Sequence, residues 1–299
     1  MIQFTSLSAL FDLVEREGQD MAELMIEREM DLACLAREEV VGRMEATLQV
    51  MEEAAEKGIK EAVTSVTGLT GGSGRKLFNH YRAGRAITGE ILPLVMARAI
   101  GIAEVNAAMG KVVAAPTAGS CGIIPGVLLT LAEYEGRPRE DLLKALFAAS
   151  AIGLVIAEKA MLSGAEGGCQ AECGSASAMA AGALVYLLGG EPSEIQAAVA
   201  VALKNMLGLV CDPVAGLVEV PCIKRNAAAA ANALMAAELV LAGIESIIPA
   251  DEVITAMGQI GRNLPVELRE TSEGGLAATP TGCRLSRELF DADNSPGFR

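Results

Sequence analysis

Gly208-Leu-Val-Cys211-Asp-Pro213-Val-Ala-Gly216-Leu-Val-Glu-Val-Pro221-Cys222-Ile-Lys-Arg-Asn226 places two cysteines, with ten residues between them, around two prolines and a glycine. Pro213 and Pro221 remove backbone donors and push the residues before them towards extended geometry. The stretch reads as a rigid, irregular segment, with Cys211 and Cys222 outside any helix and able to point at one centre. On either side the sequence is apolar and helical in pattern, and nothing in the chain alternates like a strand for long. The expected architecture is all-α, a single large helical domain with cysteine-bearing loops between buried helices.

Moving outward, Gly136-Arg-Pro-Arg-Glu140 and Gly190-Glu-Pro-Ser-Glu194 each separate two apolar helical stretches and read as helix hairpins, the glycine stopping one helix and the proline starting the next. Between them lies Gly164-Ala-Glu-Gly-Gly-Cys169-Gln-Ala-Glu-Cys173-Gly174. Near the amino terminus Leu7, Leu10, Phe11 and Val14 form a helical stripe from a cap at Ser6 to a stop at Gly18. Two further stripes, Met21 to Leu35 and Val41 to Ala55, carry Glu and Arg on their opposite faces. Small and apolar residues dominate after Gly58. Residues 1–58 are therefore an N-terminal charged helical arm or surface helices of the same domain, 59–285 the main helical domain that carries the cysteine loops, and 286–299 a polar C-terminal tail.

At 299 residues and 52% hydrophobic content the chain has ample material for a core. A net charge of −14 argues against a nucleic-acid partner, and with three Tyr, six Phe and no Trp there is little to stack on bases. The mean hydropathy of +0.38 raises the question of a membrane. The long uncharged runs Val112 to Ala132 and Cys173 to Gly190 are broken by Pro116 and Pro125 or built mostly from Ala, Ser and Gly, and read as buried helices rather than spans. With no signal-peptide pattern, seven cysteines point to reduced thiols and a cytoplasmic location.

Two loops suit a small anionic ligand. Thr67-Gly-Leu-Thr70-Gly71-Gly72-Ser73-Gly-Arg-Lys76 is a glycine-rich turn leading into helical sequence, whose amides and hydroxyls suit an anion. In Ala115-Pro-Thr117-Ala118-Gly119-Ser120-Cys121-Gly-Ile-Ile-Pro-Gly126, small residues between two prolines permit close approach to a ligand. A plain helix connection and tight helix packing are the competing readings. His80 is the chain's single histidine, and a lone histidine is more often structural than catalytic.

Cys169, Cys211 and Cys222 each lie in a Gly- or Pro-marked break, whereas Cys34 sits in a charged helical stripe. There is no paired CxxC, which disfavours structural zinc. Three thiolates around an iron–sulfur cluster would leave one iron without a protein ligand, free to act as a Lewis acid; buried structural cysteines are the alternative. The runs Ala-Ala-Pro-Thr-Ala-Gly-Ser at 114–120, Glu-Gly-Gly-Cys-Gln-Ala-Glu at 166–172, the stretch 211–226 and Glu-Thr-Ser-Glu-Gly-Gly-Leu-Ala at 270–277 resemble the α chain of the iron–sulfur-dependent L-serine dehydratases. That resemblance covers most of the chain. It implies a helical domain holding a [4Fe-4S] cluster through Cys169, Cys211 and Cys222, and conversion of L-serine to pyruvate and ammonia. Cys283 stands where single-chain members end in a cysteine that caps the cluster. Here sixteen residues follow it, so it is either a displaceable ligand or a surface thiol, and Cys173 is a second-choice ligand.

The substrate-binding candidates are then Thr70, Gly71, Gly72 and Ser73 in one loop and Thr117, Ala118, Gly119 and Ser120 in the other. No catalytic base stands out, and the resemblance implies a separate β chain that completes the site in a hetero-oligomer. Two rivals remain. One is a pyridoxal-phosphate lyase with Lys76 or Lys159 as Schiff base, which requires alternating strands and helices. The other is a non-catalytic helical scaffold or membrane subunit.

Overall fold

A computed structural model describes residues 2–290 of the chain, so most of the expected tail, residues 291–299, lies outside the described residues. The first helix, α1 (Leu7–Glu17), starts where Ser6 accepts the Ala9 N–H and stops at Gly18 in the left-handed conformation. After it come α2 (Met21–Ala33), capped by Asp20, and α3 (Arg37–Lys60). These charged helices turn Leu7, Leu10, Met25 and Leu48 into the same hydrophobic cluster as the body, and α3 runs on through Gly58.

Gly58 marks a close crossing. A Cβ there would come 2.3 Å from the Gly101 carbonyl carbon on α5 (Ile91–Ala107), and one on Gly74 would come 2.7 Å from the Gly101 Cα. Gly74 belongs to α4 (Ser73–Arg82), so three glycines let three backbones meet where side chains would hold them apart. This crossing fixes the glycine-rich turn before α4 against α5.

The remaining body consists of α6 (Ile123–Tyr134), α7 (Arg139–Lys159), the single turn α8 (Gly164–Gly167), α9 (Ser175–Leu187), α10 (Pro192–Met206), α11 (Cys222–Leu241) and α12 (Ala250–Asn263), followed by α13 (Pro280–Phe290) on the surface. Both expected hairpins are present, with Pro138 just before α7 and Pro192 opening α10. At the centre is α9, in which every residue from Ser175 to Val185 is buried against α6, α7, α10 and α11. A helix covered on all sides needs no polar face, which accounts for the uncharged run from Cys173 to Gly190. Among the described residues no helix is long and apolar enough to cross a membrane. Strand pairing there is limited to the isolated bridges Thr64 to Gly71 and Cys211 to Arg269, so the all-α class holds, without the strand–helix alternation of a pyridoxal-phosphate fold.

Candidate functional site

The irregular segments between these helices converge. A five-residue π turn, Gln170–Gly174, leads into α9, with Cys169 immediately before it and Cys173 inside it. Gln170 is fully buried and ties this turn to the next cysteine loop: its N–H donates to the Leu209 carbonyl at 2.9 Å, its Oε1 accepts from Gly208 N–H at 2.9 Å, and its Nε2 donates to the Met257 carbonyl of α12 at 3.1 Å. Cys211 is held from the other side, donating to the Leu268 carbonyl at 2.9 Å and accepting from Glu270 N–H at 2.7 Å. The run 270–277 thus lies beside the 211–226 stretch. Asp212 anchors it by accepting from Leu276 N–H at 2.7 Å, and a Cβ on Gly275 would come 2.4 Å from that same Oδ2.

Cys222 differs from expectation. It is the first residue of α11 rather than part of the irregular segment. Proline restricts the residue before it, not the one after, and the first N–H groups of a helix need no intrahelical partner, so Pro221 is compatible with a helix start. Cys173 is likewise helical. Three residues into α11, Arg225 turns back over the cysteines, donating to the Val210 carbonyl at 2.8 Å. Its contact with Asp212 Oδ1 at 2.8 Å is an ion pair with no N–H directed along it.

Cys169, Cys173, Cys211 and Cys222 are buried and close enough to perturb one another. The Cys169 thiol is held below its ordinary range by the hydrogen bond from Cys173, with Arg225 adding to the effect against burial. That same bond, together with burial, pushes Cys173 well up. Burial first and neighbouring negative charge second raise Cys211, and they push Cys222 up to about 12. Cys121 is buried in a separate apolar cluster with Ala54, Val63 and Ile102. Cys34 and Cys283 are exposed, and the Cys283 thiol on α13 lies 3.7 Å from the Ala277 carbonyl.

Both candidate ligand loops reach this centre, each through a carboxylate the sequence reading did not single out. Glu219, five-percent exposed, accepts from the hydroxyls of Thr67 and Thr70 at 2.9 Å each and so ties the glycine-rich turn to the 211–226 stretch. The amides of that turn are already engaged: Thr70 N–H donates to Ser65, Gly72 N–H to the Val63 carbonyl, and Ser73 and Gly74 N–H to the buried Glu104 at 2.7 and 3.1 Å. The anion at the start of α4 is thus the protein's own.

The other loop forms a 3-10 turn, Ala118–Ser120, with Thr117 and Ser120 hydroxyls 3.0 Å apart. Thr117 Oγ1 donates to Glu172 Oε1 at 2.8 Å, and Cys211 Sγ lies 3.9 Å from Glu172 Oε2. Burial pushes the Glu172 carboxyl up, the Glu270 charge adds to this, and the Thr117 bond opposes it. Asn226, on α11, fastens the loop to the cysteine helix. Glu172, Glu219, Arg225 and Asn226 all fall inside the motif runs noted in the sequence. Only their partners reveal what they do.

Residues 16–277 match a family described as the serine dehydratase alpha chain. The chain belongs to that family. The matched interval includes Cys169, Cys211 and Cys222 but ends before Cys283. The chain is 50% identical over 287 residues to a probable L-serine dehydratase alpha chain of Bacillus subtilis, covering 96% of this chain and 95% of the relative. It is 42% identical over 281 residues to the L-serine dehydratase alpha chain of Peptoniphilus asaccharolyticus, covering 94% and 96% respectively. To L-serine dehydratase 2 of Escherichia coli it is 37% identical over 294 residues, spanning 94% of this chain but 62% of that longer protein.

Proposed function

We propose that this chain is the α chain of a cytoplasmic L-serine dehydratase, which converts L-serine to pyruvate and ammonia together with a β chain and holds a [4Fe-4S] cluster through Cys169, Cys211 and Cys222. The observation that carries this reading is that Cys169, Cys211 and Cys222 are buried and near enough to perturb one another, with Arg225 beside Cys169, in a member of the serine dehydratase alpha chain family. Among the described residues, no three His, Cys, Asp or Glu side chains close around one point as a single ion requires. A cluster whose irons each take one thiolate needs ligands that stand apart, and soft sulfur donors suit iron–sulfur chemistry. When bound, the cluster supplies Lewis acidity for the departing β-hydroxyl through an iron without a protein ligand.

The chain's own residues do the rest. Arg225 offsets the negative charge the thiolates bring. The Thr117–Ser120 loop receives the substrate carboxylate, because the first N–H groups of a helical turn have no acceptor within it. The glycine-rich turn, with the amides of Thr70, Gly72 and Ser73 already engaged, serves to position Glu219. Loss of the α-proton and of the β-hydroxyl, together one water, leaves an aminoacrylate that takes up water and gives pyruvate and ammonia. Among the described residues no Lys or His pairs with these thiols or with Glu172, so the base that takes the α-proton is assigned to the β chain. Cys283, exposed on α13, is left outside the ligand set.

The test is anaerobic purification with and without a co-expressed β chain, measuring iron, sulfide, brown absorbance and pyruvate formed from L-serine. A brown protein that bleaches in air and makes pyruvate only with its partner is the expected result. A colourless protein without iron after anaerobic reconstitution would refute the cluster assignment.

A further inference from the structure

Glu172 is a half-buried carboxylate with no cationic partner among the described residues, unlike the fully buried acids around it, which are held by the protein. Glu104 accepts two backbone N–H groups, Glu219 accepts two threonine hydroxyls, and Asp212 has both Arg225 and a backbone N–H. Glu172 has one hydroxyl partner, Thr117 at 2.8 Å, and a weak thiol contact at 3.9 Å. Among the described residues no Lys or Arg pairs with it, and the charge that acts on it is that of another acid, Glu270. A carboxylate offers roughly four acceptor positions, so Glu172 keeps acceptor capacity that Thr117 and Cys211 do not fill, and a half-buried charge gains from a counter-charge.

Small residues pack around this carboxylate. Cβ atoms on Gly119 and Gly164 would come 3.1 Å from Oε1 and 2.9 Å from Oε2, so glycine at both positions lets the backbone close on the carboxylate without crowding it. The π turn that carries Glu172 inserts an extra residue ahead of α9, a distortion that recurs at functional sites. On one side lies the Thr117–Ser120 loop, and on the other Cys211.

We propose that Glu172 binds the α-ammonium group of the substrate, making it the residue that selects amino acids over carboxylic acids lacking that group. The proposal rests on the function proposed above: the missing cation is the one an amino acid brings, with its carboxylate on the neighbouring loop and its β-carbon towards the cysteines.

The experiment uses the anaerobic holoenzyme with its partner chain and two unreactive probes, L-alanine and propanoate, which differ in the ammonium group. Equilibrium binding is measured by calorimetry for the wild type and for Glu172→Gln, with iron and sulfide determined on each. The expected result is a preference for L-alanine in the wild type, a loss of about tenfold or more in L-alanine affinity in the variant, and less than about a twofold change for propanoate. Equal losses for both probes, or none, in a variant that keeps its iron would overturn the proposal. If Glu172→Gln does not retain iron, Thr117→Val takes its place: removing the hydroxyl anchor must lower the selectivity for L-alanine, and unchanged selectivity overturns the idea. A wild-type holoenzyme that makes no pyruvate from L-serine removes the underlying function as well, whereas active enzyme with unaltered selectivity removes only the role of Glu172.

Discussion

Asn226→Ala tests how the Ala118–Ser120 turn is held to the cysteine helix. The side chain is fully buried; its Oδ1 accepts from Gly122 N–H at 3.0 Å, and its Nδ2 donates to the Gly119 carbonyl at 2.7 Å and the Cys222 carbonyl at 3.0 Å. The Cys222 carbonyl lies in the first turn of α11 and keeps its helical partner after truncation. Gly122 N–H and Gly119 C=O do not have that recourse. Gly122 packs so closely on α5 that a Cβ there would come 2.1 Å from the Ala99 carbonyl oxygen, so its backbone has little freedom to shift towards another partner. Two buried groups left unpaired cost about 1–3 kcal/mol each, so the variant is expected to lose about 4 kcal/mol in urea unfolding followed by circular dichroism. That is a large share of the roughly 5–15 kcal/mol of a typical domain. Asn226→Asp keeps the acceptor but sets a carboxylate against two carbonyls. Its folded-state pKa is therefore raised, and its deficit relative to wild type must shrink as the pH falls and the protonated carboxyl regains a donor. A loss below about 1 kcal/mol for Asn226→Ala would refute the reasoning, because it would mean the loop finds other partners.

Two further outcomes follow from the same geometry. Glu104→Gln turns an NH2 group towards one of the two α4 amides the carboxylate now accepts, and is expected to cost about 1–3 kcal/mol in the same unfolding assay; a neutral result would show that the turn before α4 is not held by that carboxylate. In cluster-free native protein at pH 8, iodoacetamide should label Cys34 and Cys283 well before Cys121, Cys211 and Cys222, which are buried and whose raised pKa values leave little thiolate; mass spectrometry showing Cys121 labelled as fast as Cys34 would contradict this.

The helical class was legible because its signals are local. Ser6, Gly18, Pro138 and Pro192 mark helix ends through their own backbone chemistry, and the Ala- and Gly-rich runs can pack only as buried helices. The placing of Cys169 and Cys211 in chain breaks was legible for the same reason, whereas Cys222 proved to start a helix because proline constrains only its predecessor. The glycine-rich turn shows where such reading stops. Its amides look available for an outside anion until Glu104, thirty residues on in an apolar helix, is seen to accept those of Ser73 and Gly74.

What the sequence by itself determined is therefore the helical architecture, its punctuation and the family to which its motifs point, since each depends on neighbours along the chain. Only the tertiary structure decided which charged and polar side chains serve the site. Thr117 meets Glu172 across 55 residues, Thr67 meets Glu219 across 152, and Asn226 reaches Gly119 across 107. A carboxylate's role depends on which donors face it, and packing brings those donors from parts of the chain that no local pattern connects.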